Sequence, residues 1–95
     1  MKYIYKKIDS PNSVRITGSG SNIKSLIISN ITDSTIQVSI YLVGNNSNYY
    51  ILKSGKIIKN ESLDVFKNGY WYDSSHIFTI GVESGSADIL LILED

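Results

Sequence analysis

The chain has 95 residues and one histidine, which stands in Asp73-Ser74-Ser75-His76, the three side-chain types of an acyl-transfer triad. A triad draws its members from separate elements so that they converge on one point. Here they are chain neighbours, and adjacent side chains on an extended stretch point apart. The expectation is a surface-loop histidine. Gly18-Ser19-Gly20-Ser21-Asn22 has the small residues of a phosphate cradle. It lacks the Lys-Ser/Thr of a P-loop and the third glycine of a dinucleotide fingerprint, and no helical pattern follows, so it reads as a turn. Asp64, Asp73, Glu83 and Asp88 are the carboxylates considered for paired acid–base work on a glycoside. Nothing in their spacing selects a pair, and no calcium-loop spacing is present. The absence of cysteine removes thiol nucleophiles, disulfides and thiolate metal sites, and a single histidine removes multi-histidine sites. No catalytic residue, metal ligand or cofactor site is therefore expected.

The aromatic residues are the one feature above background. Tyr49-Tyr50 and Tyr70-Trp71-Tyr72 fall near loops, and Tyr3 and Tyr5 share one face of an N-terminal strand. Such rings either anchor a protein interface or stack on sugar rings, and alternation sends half of each cluster into the core. Tyr49, Tyr50, Tyr70, Trp71 and Tyr72 are the candidate interface residues. Three sequons, Asn30-Ile31-Thr32, Asn45-Asn46-Ser47 and Asn60-Glu61-Ser62, read as accidental in a chain with eight Asn and fifteen Ser.

Nine basic and nine acidic side chains cancel, which argues against a dedicated nucleic-acid binder. No apolar run approaches the roughly 18–20 residues of a membrane helix. The start, Met1-Lys2-Tyr3-Ile4-Tyr5-Lys6-Lys7, lacks an apolar h-region, so no signal peptide is expected. Sixteen Ile against one Ala and one Pro favours strands over helices and matches the residue choice of an AT-rich coding genome.

The hydrophobic period is two almost throughout. In Thr35–Val43, Ile36, Val38, Ile40 and Leu42 point one way while Thr35, Gln37, Ser39 and Tyr41 point the other. Before it, Lys24, Leu26 and Ile28 share a face opposite Ile23, Ser25 and Ile27, and the two segments are expected to form a hairpin over about residues 23 to 43. A second hairpin is expected from Tyr49–Lys53 and Lys56–Lys59 about a Ser54-Gly55 turn, with Gly44–Asn48 as a loop. In Glu61–Phe66, Leu63 and Val65 point inward, and Lys67-Asn68-Gly69 turns. Ile77–Val82 and Ala87–Leu93 are expected to pair across Glu83–Ser86. Lys2–Ile8 and Val14–Thr17 complete about eight strands at roughly 8–12-residue spacing. The expected fold is one all-β domain over residues 1–95, an antiparallel two-sheet β-sandwich of jelly-roll or Ig-like type. The run Ile89 to Leu93 is apolar at consecutive positions, which suggests cover on both faces, and burial against a partner chain is one way to achieve that.

The stretch Ile23–Asn30, its Thr32-Asp33-Ser34 turn and the alternating strand to Val43 resemble small virion proteins of tailed bacteriophages. So do Tyr50–Lys53 through Leu63-Asp64-Val65 and the ending Gly85–Asp95. The resemblance spans about residues 14 to 95. It implies a β-sandwich that decorates a capsid or sits at the head–tail junction, often as a homo-oligomer. The expected role is accordingly a non-enzymatic virion structural protein, made in the host cytoplasm and binding capsid or neck subunits, with neither nucleic acid nor membrane as partner. The alternative is a carbohydrate-binding or adhesive module using Trp71 and the neighbouring tyrosines.

Overall fold

The computed structural model describes residues 2–16, 22–66, 69–73 and 75–94, with Trp71 described by its backbone alone. None of these residues is helical. Nine strands follow in order: β1 Lys2–Asp9, β2 Ser13–Ile16, β3 Asn22–Asn30, β4 Ile36–Gly44, β5 Ser47–Ile57, β6 Ser62–Asp64, β7 Tyr70–Trp71, β8 Ile77–Ser84 and β9 Ser86–Glu94. They form two antiparallel sheets. The first has the order β1-β9-β3-β6, with the two-residue β7 also on β3, and the second is β2-β8-β4-β5. The molecule measures 37 × 31 × 19 Å, a two-layer sandwich.

Four pairs are nested: β1 with β9, β2 with β8, β3 with β6, and β4 with β5. The chain is one long hairpin, folded about the Asn45–Asn46 turn and wrapped so that successive pairs belong to alternate sheets. That order is the jelly roll.

Alternation explains the core. Ile36, Val38 and Ile40 of β4 are wholly buried and face Ile23, Leu26 and Ile28 of β3 and Ala87, Ile89 and Leu91 of β9, with Phe78, Ile80 and Val82 of β8 alongside. Leu42 lies near an open end and is half-buried. The exposed area, 5675 Å², is close to the roughly 5,500 Å² of a compact chain of this mass.

Pairing differs from the expectation at four places. β3 and β4 do not form a hairpin: they lie in opposite sheets, and residues 31–35 carry the chain across. Asn30 fixes that crossing. Its Nδ2 donates to the carbonyls of Ser34 and Ile57, and its Oδ1 accepts from the Thr32 amide and hydroxyl. β8 and β9 likewise separate into different sheets at Gly85, whose φ of 79° is a left-handed value. A Cβ there would overlap the Ile36 side chain, so both the backbone angle and the space require glycine.

Ser54-Gly55 is not a turn. It is a bulge inside the single strand β5: Lys53 and Ser54 together oppose Ser39, between the pairs Val38–Gly55 and Ile40–Leu52. The real turn is Asn45–Asn46, with Asn46 at φ 58°. Finally, β3 is irregular between Ile23 and Ser25, so Ile23 joins Leu26 and Ile28 inside while Lys24 is exposed.

Candidate functional site

The outward face of the second sheet carries a cleft of about 370 Å³. Its floor is β4 and β8. Tyr41 points outward by strand alternation, and Gly81 beside it presents bare backbone, since even a Cβ there would meet only Ser13 and Tyr41 at 3.8–4.0 Å. β5 supplies one wall with Tyr50, Lys53 and Ser54, and the β1–β2 loop supplies the other with Asn12. The Tyr41 and Tyr50 rings lie 5.2 Å apart at 40°. The Lys53 ammonium sits 5.2 Å from the centre of the Tyr50 ring, a cation–π arrangement.

The bulge builds the polar end of this cleft. Bulging at Ser54, which has φ 52°, takes its amide off the ladder, and that amide donates to the Ser39 hydroxyl at 2.9 Å. Ser39 is only 5% exposed and donates in turn to the Glu83 carboxylate. The Ser54 hydroxyl donates to both Glu83 oxygens, at 3.0 and 3.1 Å. Glu83 is exposed to solvent yet held in place from two strands.

The histidine loop is the second polar cluster. Asp73 and His76 meet at 2.6 Å through Nδ1, and the Ser75 hydroxyl lies 2.8 Å from Asp73 and 3.1 Å from the same Nδ1. The expectation that these side chains diverge is corrected for Asp73, Ser75 and His76, because the His76 amide folds back to donate to the Asp73 carbonyl at 3.5 Å. The arrangement is still not a triad. Serine and aspartate share one ring nitrogen, whereas a relay needs them on opposite nitrogens. The other edge of the ring lies over Gly44, and Tyr49 packs edge-on at 5.7 Å. The two hydrogen bonds, from Ser75 first and His76 second, lower the Asp73 pKa from its ordinary value.

The five aromatic candidates do not share one surface. Tyr50 lines the cleft, while Tyr49 stands 56% exposed beside His76. Tyr72 is buried and stacked on Phe78 at 5.6 Å, and Tyr70 is half-buried and stacked on Phe66 at 4.8 Å. The Trp71 side chain lies outside the described structure, as do residues 17–21, including most of the glycine-serine segment, and residues 67–68 of the expected turn. Among the described residues, no three His, Asp or Glu side chains converge as a metal site. Sequence reasoning did not single out Ser39, Tyr41, Ser54 or Gly81 as site residues. The outward phase of Tyr41 was readable, but the bulge that brings Ser54 to Glu83 was not.

The outward face of the first sheet carries an apolar patch. Its cross-strand rows run Tyr3–Ile92–Ser25 and Tyr5–Leu90–Ile27, followed by Lys7–Asp88–Ser29. Tyr5 is 67% and Leu90 39% exposed, and Lys7 pairs with Asp88 at 2.7 Å. No family model, curated protein or solved structure matches the chain.

Proposed function

We propose that this protein is a non-enzymatic structural subunit that binds other protein subunits, and that the assembly is a bacteriophage particle, as the sequence resemblance implies. The observation that carries the reading is the outward face of β1, β9 and β3. Strand β9 is central in its sheet, so its side chains alternate strictly between core and exterior. Ile89, Leu91 and Leu93 face the core, yet Leu90 and Ile92 on the exterior are equally apolar and sit between Tyr3, Tyr5 and Ile27. An outward sheet face ordinarily carries polar side chains. A contiguous apolar patch of Tyr3, Tyr5, Leu90, Ile92 and Ile27 with a charged pair at its edge has the anatomy of a protein interface. Zero net charge leaves no long-range repulsion between like copies. Capsid, neck and same-chain subunits are the partners in this reading.

Sedimentation of the purified chain, alone and with the particles of the phage that encodes it, tests the proposal, with Leu90→Lys as the variant. The wild type is expected to self-associate or to travel with particles. Leu90→Lys is expected to do neither while keeping its thermal midpoint. A wild type that stays monomeric and leaves particles bare removes the structural role. Neighbouring genes unrelated to capsid, portal or tail remove the phage assignment.

A further inference from the structure

We infer that the cleft on the opposite sheet, between Tyr41, Tyr50 and Glu83, is a binding site for a neutral, hydroxyl-rich ring, that is, a single sugar unit. This inference is independent of the subunit role, which uses the other sheet.

Three observations converge. The volume, about 370 Å³, is at the small end of the ligand-site range of roughly 300–1,000 Å³, enough for one or two sugar rings and little more. The lining is amphipathic in the way a sugar is. Tyr41 and Tyr50 offer ring faces to C–H groups, and neither tyrosine hydroxyl has a hydrogen-bond partner among the described residues, so both can donate to or accept from ligand hydroxyls. The carboxylate is also prepared in advance. Glu83 Oε1 takes the Ser39 and Ser54 hydroxyls, but Oε2 takes only Ser54, which leaves it acceptor capacity. A locked acceptor with spare lone pairs loses little freedom on binding.

Charge decides the ligand class. A phosphate or carboxylate ligand would face Glu83. A cationic ligand would find the Tyr50 ring already occupied by Lys53, 5.2 Å from its centre. The two opposite charges sum to zero across the cleft, which favours a neutral polyol that uses Glu83 as acceptor and Lys53 as donor. The bare Gly81 backbone on the floor gives a flat ring room to approach.

The test is an amide NMR titration of the full chain with glucose, galactose, mannose and N-acetylglucosamine, and separately with inorganic phosphate and lysine methyl ester. At least one sugar is expected to shift the amides of Tyr41, Tyr50, Ser54, Gly81 and Glu83 selectively. Glu83→Gln and Tyr50→Leu are each expected to weaken that binding about tenfold, as loss of one charged hydrogen bond or one stacking face requires. Tyr50 is 46% exposed, so its variant leaves the fold intact even if Glu83→Gln loosens the bulge. Cleft shifts from phosphate or the lysine ester but from no sugar overturn the ligand class. The absence of cleft shifts with every probe overturns the site.

Discussion

Replacing Asn30 with alanine tests the wiring of the jelly roll at a buried polar group. The side chain is 5% exposed and uses its full capacity: Nδ2 donates to Ser34 O at 2.8 Å and Ile57 O at 2.9 Å, and Oδ1 accepts from the Thr32 amide at 2.8 Å and its hydroxyl at 2.7 Å. These bonds join the end of β3, the crossing to β4 and the end of β5. The four are not equal. Ser34 O keeps the Thr32 hydroxyl, and the groups near solvent can turn to water, so those losses are small, about 0.5 kcal/mol each. The Ile57 carbonyl is bonded in a buried position, and stranding it adds about 1–2 kcal/mol. The sum is about 3 kcal/mol, a large fraction of a small domain's stability. Urea unfolding followed by tyrosine and tryptophan fluorescence reads this directly. With a slope of about 1–1.5 kcal/mol/M, the midpoint falls by about 2–3 M. Asn30→Asp is the control, because it keeps the shape but aims an anion at two carbonyls. It is expected to be worse than alanine at pH 7 and to improve as the carboxyl protonates. A midpoint loss below about 0.5 M for alanine, or an aspartate variant as stable as wild type, would refute the reasoning.

Two further outcomes follow from single groups. The Tyr72 hydroxyl is buried with no hydrogen-bond partner among the described residues, so Tyr72→Phe is expected to raise stability by up to about 1 kcal/mol in the same urea assay, and a loss would mean the hydroxyl is satisfied. Asp73 has its pKa lowered by Ser75 and then His76, so the interaction is fully present above the ordinary value of 3.8 and is lost as pH falls through the lower folded value. The Asp73 side-chain carboxyl carbon is expected to titrate below that value in a carbon-detected NMR pH series, and a titration at or above 3.8 would contradict it.

The strand content was legible because period two is a local property. Ile36, Val38 and Ile40 declare a buried stripe with no knowledge of the partner strand. Partner choice was not legible, because alternation is the same whether a strand turns back into its own sheet or crosses to the other. Ser54-Gly55 had the composition of a turn and became a bulge, since Ser39 offered the hydroxyl that its displaced amide needed. Asn45–Asn46, the true turn, was hidden in a longer polar stretch. The cleft was half legible: Tyr50 was singled out by its type, and the outward phase of Tyr41 was readable although it was not singled out. Its polar end depends on three strands that meet only in the folded chain. The histidine loop failed for a different reason, because an extended backbone was assumed where the His76 amide bonds back to the Asp73 carbonyl.

The nested pairing also fixes what a ribosome can leave behind it. Among the described strands β1 comes first, and its ladder partner is β9, which comes last. Until β9 emerges, Ile4 and Ile8 have no neighbouring strand and the first sheet lacks its centre, whereas β4 and β5 close locally about Asn45–Asn46 as soon as both are out. Closure therefore runs from β4 and β5 outward, and the apolar inner face of the first sheet waits, uncovered, until β9 has been made.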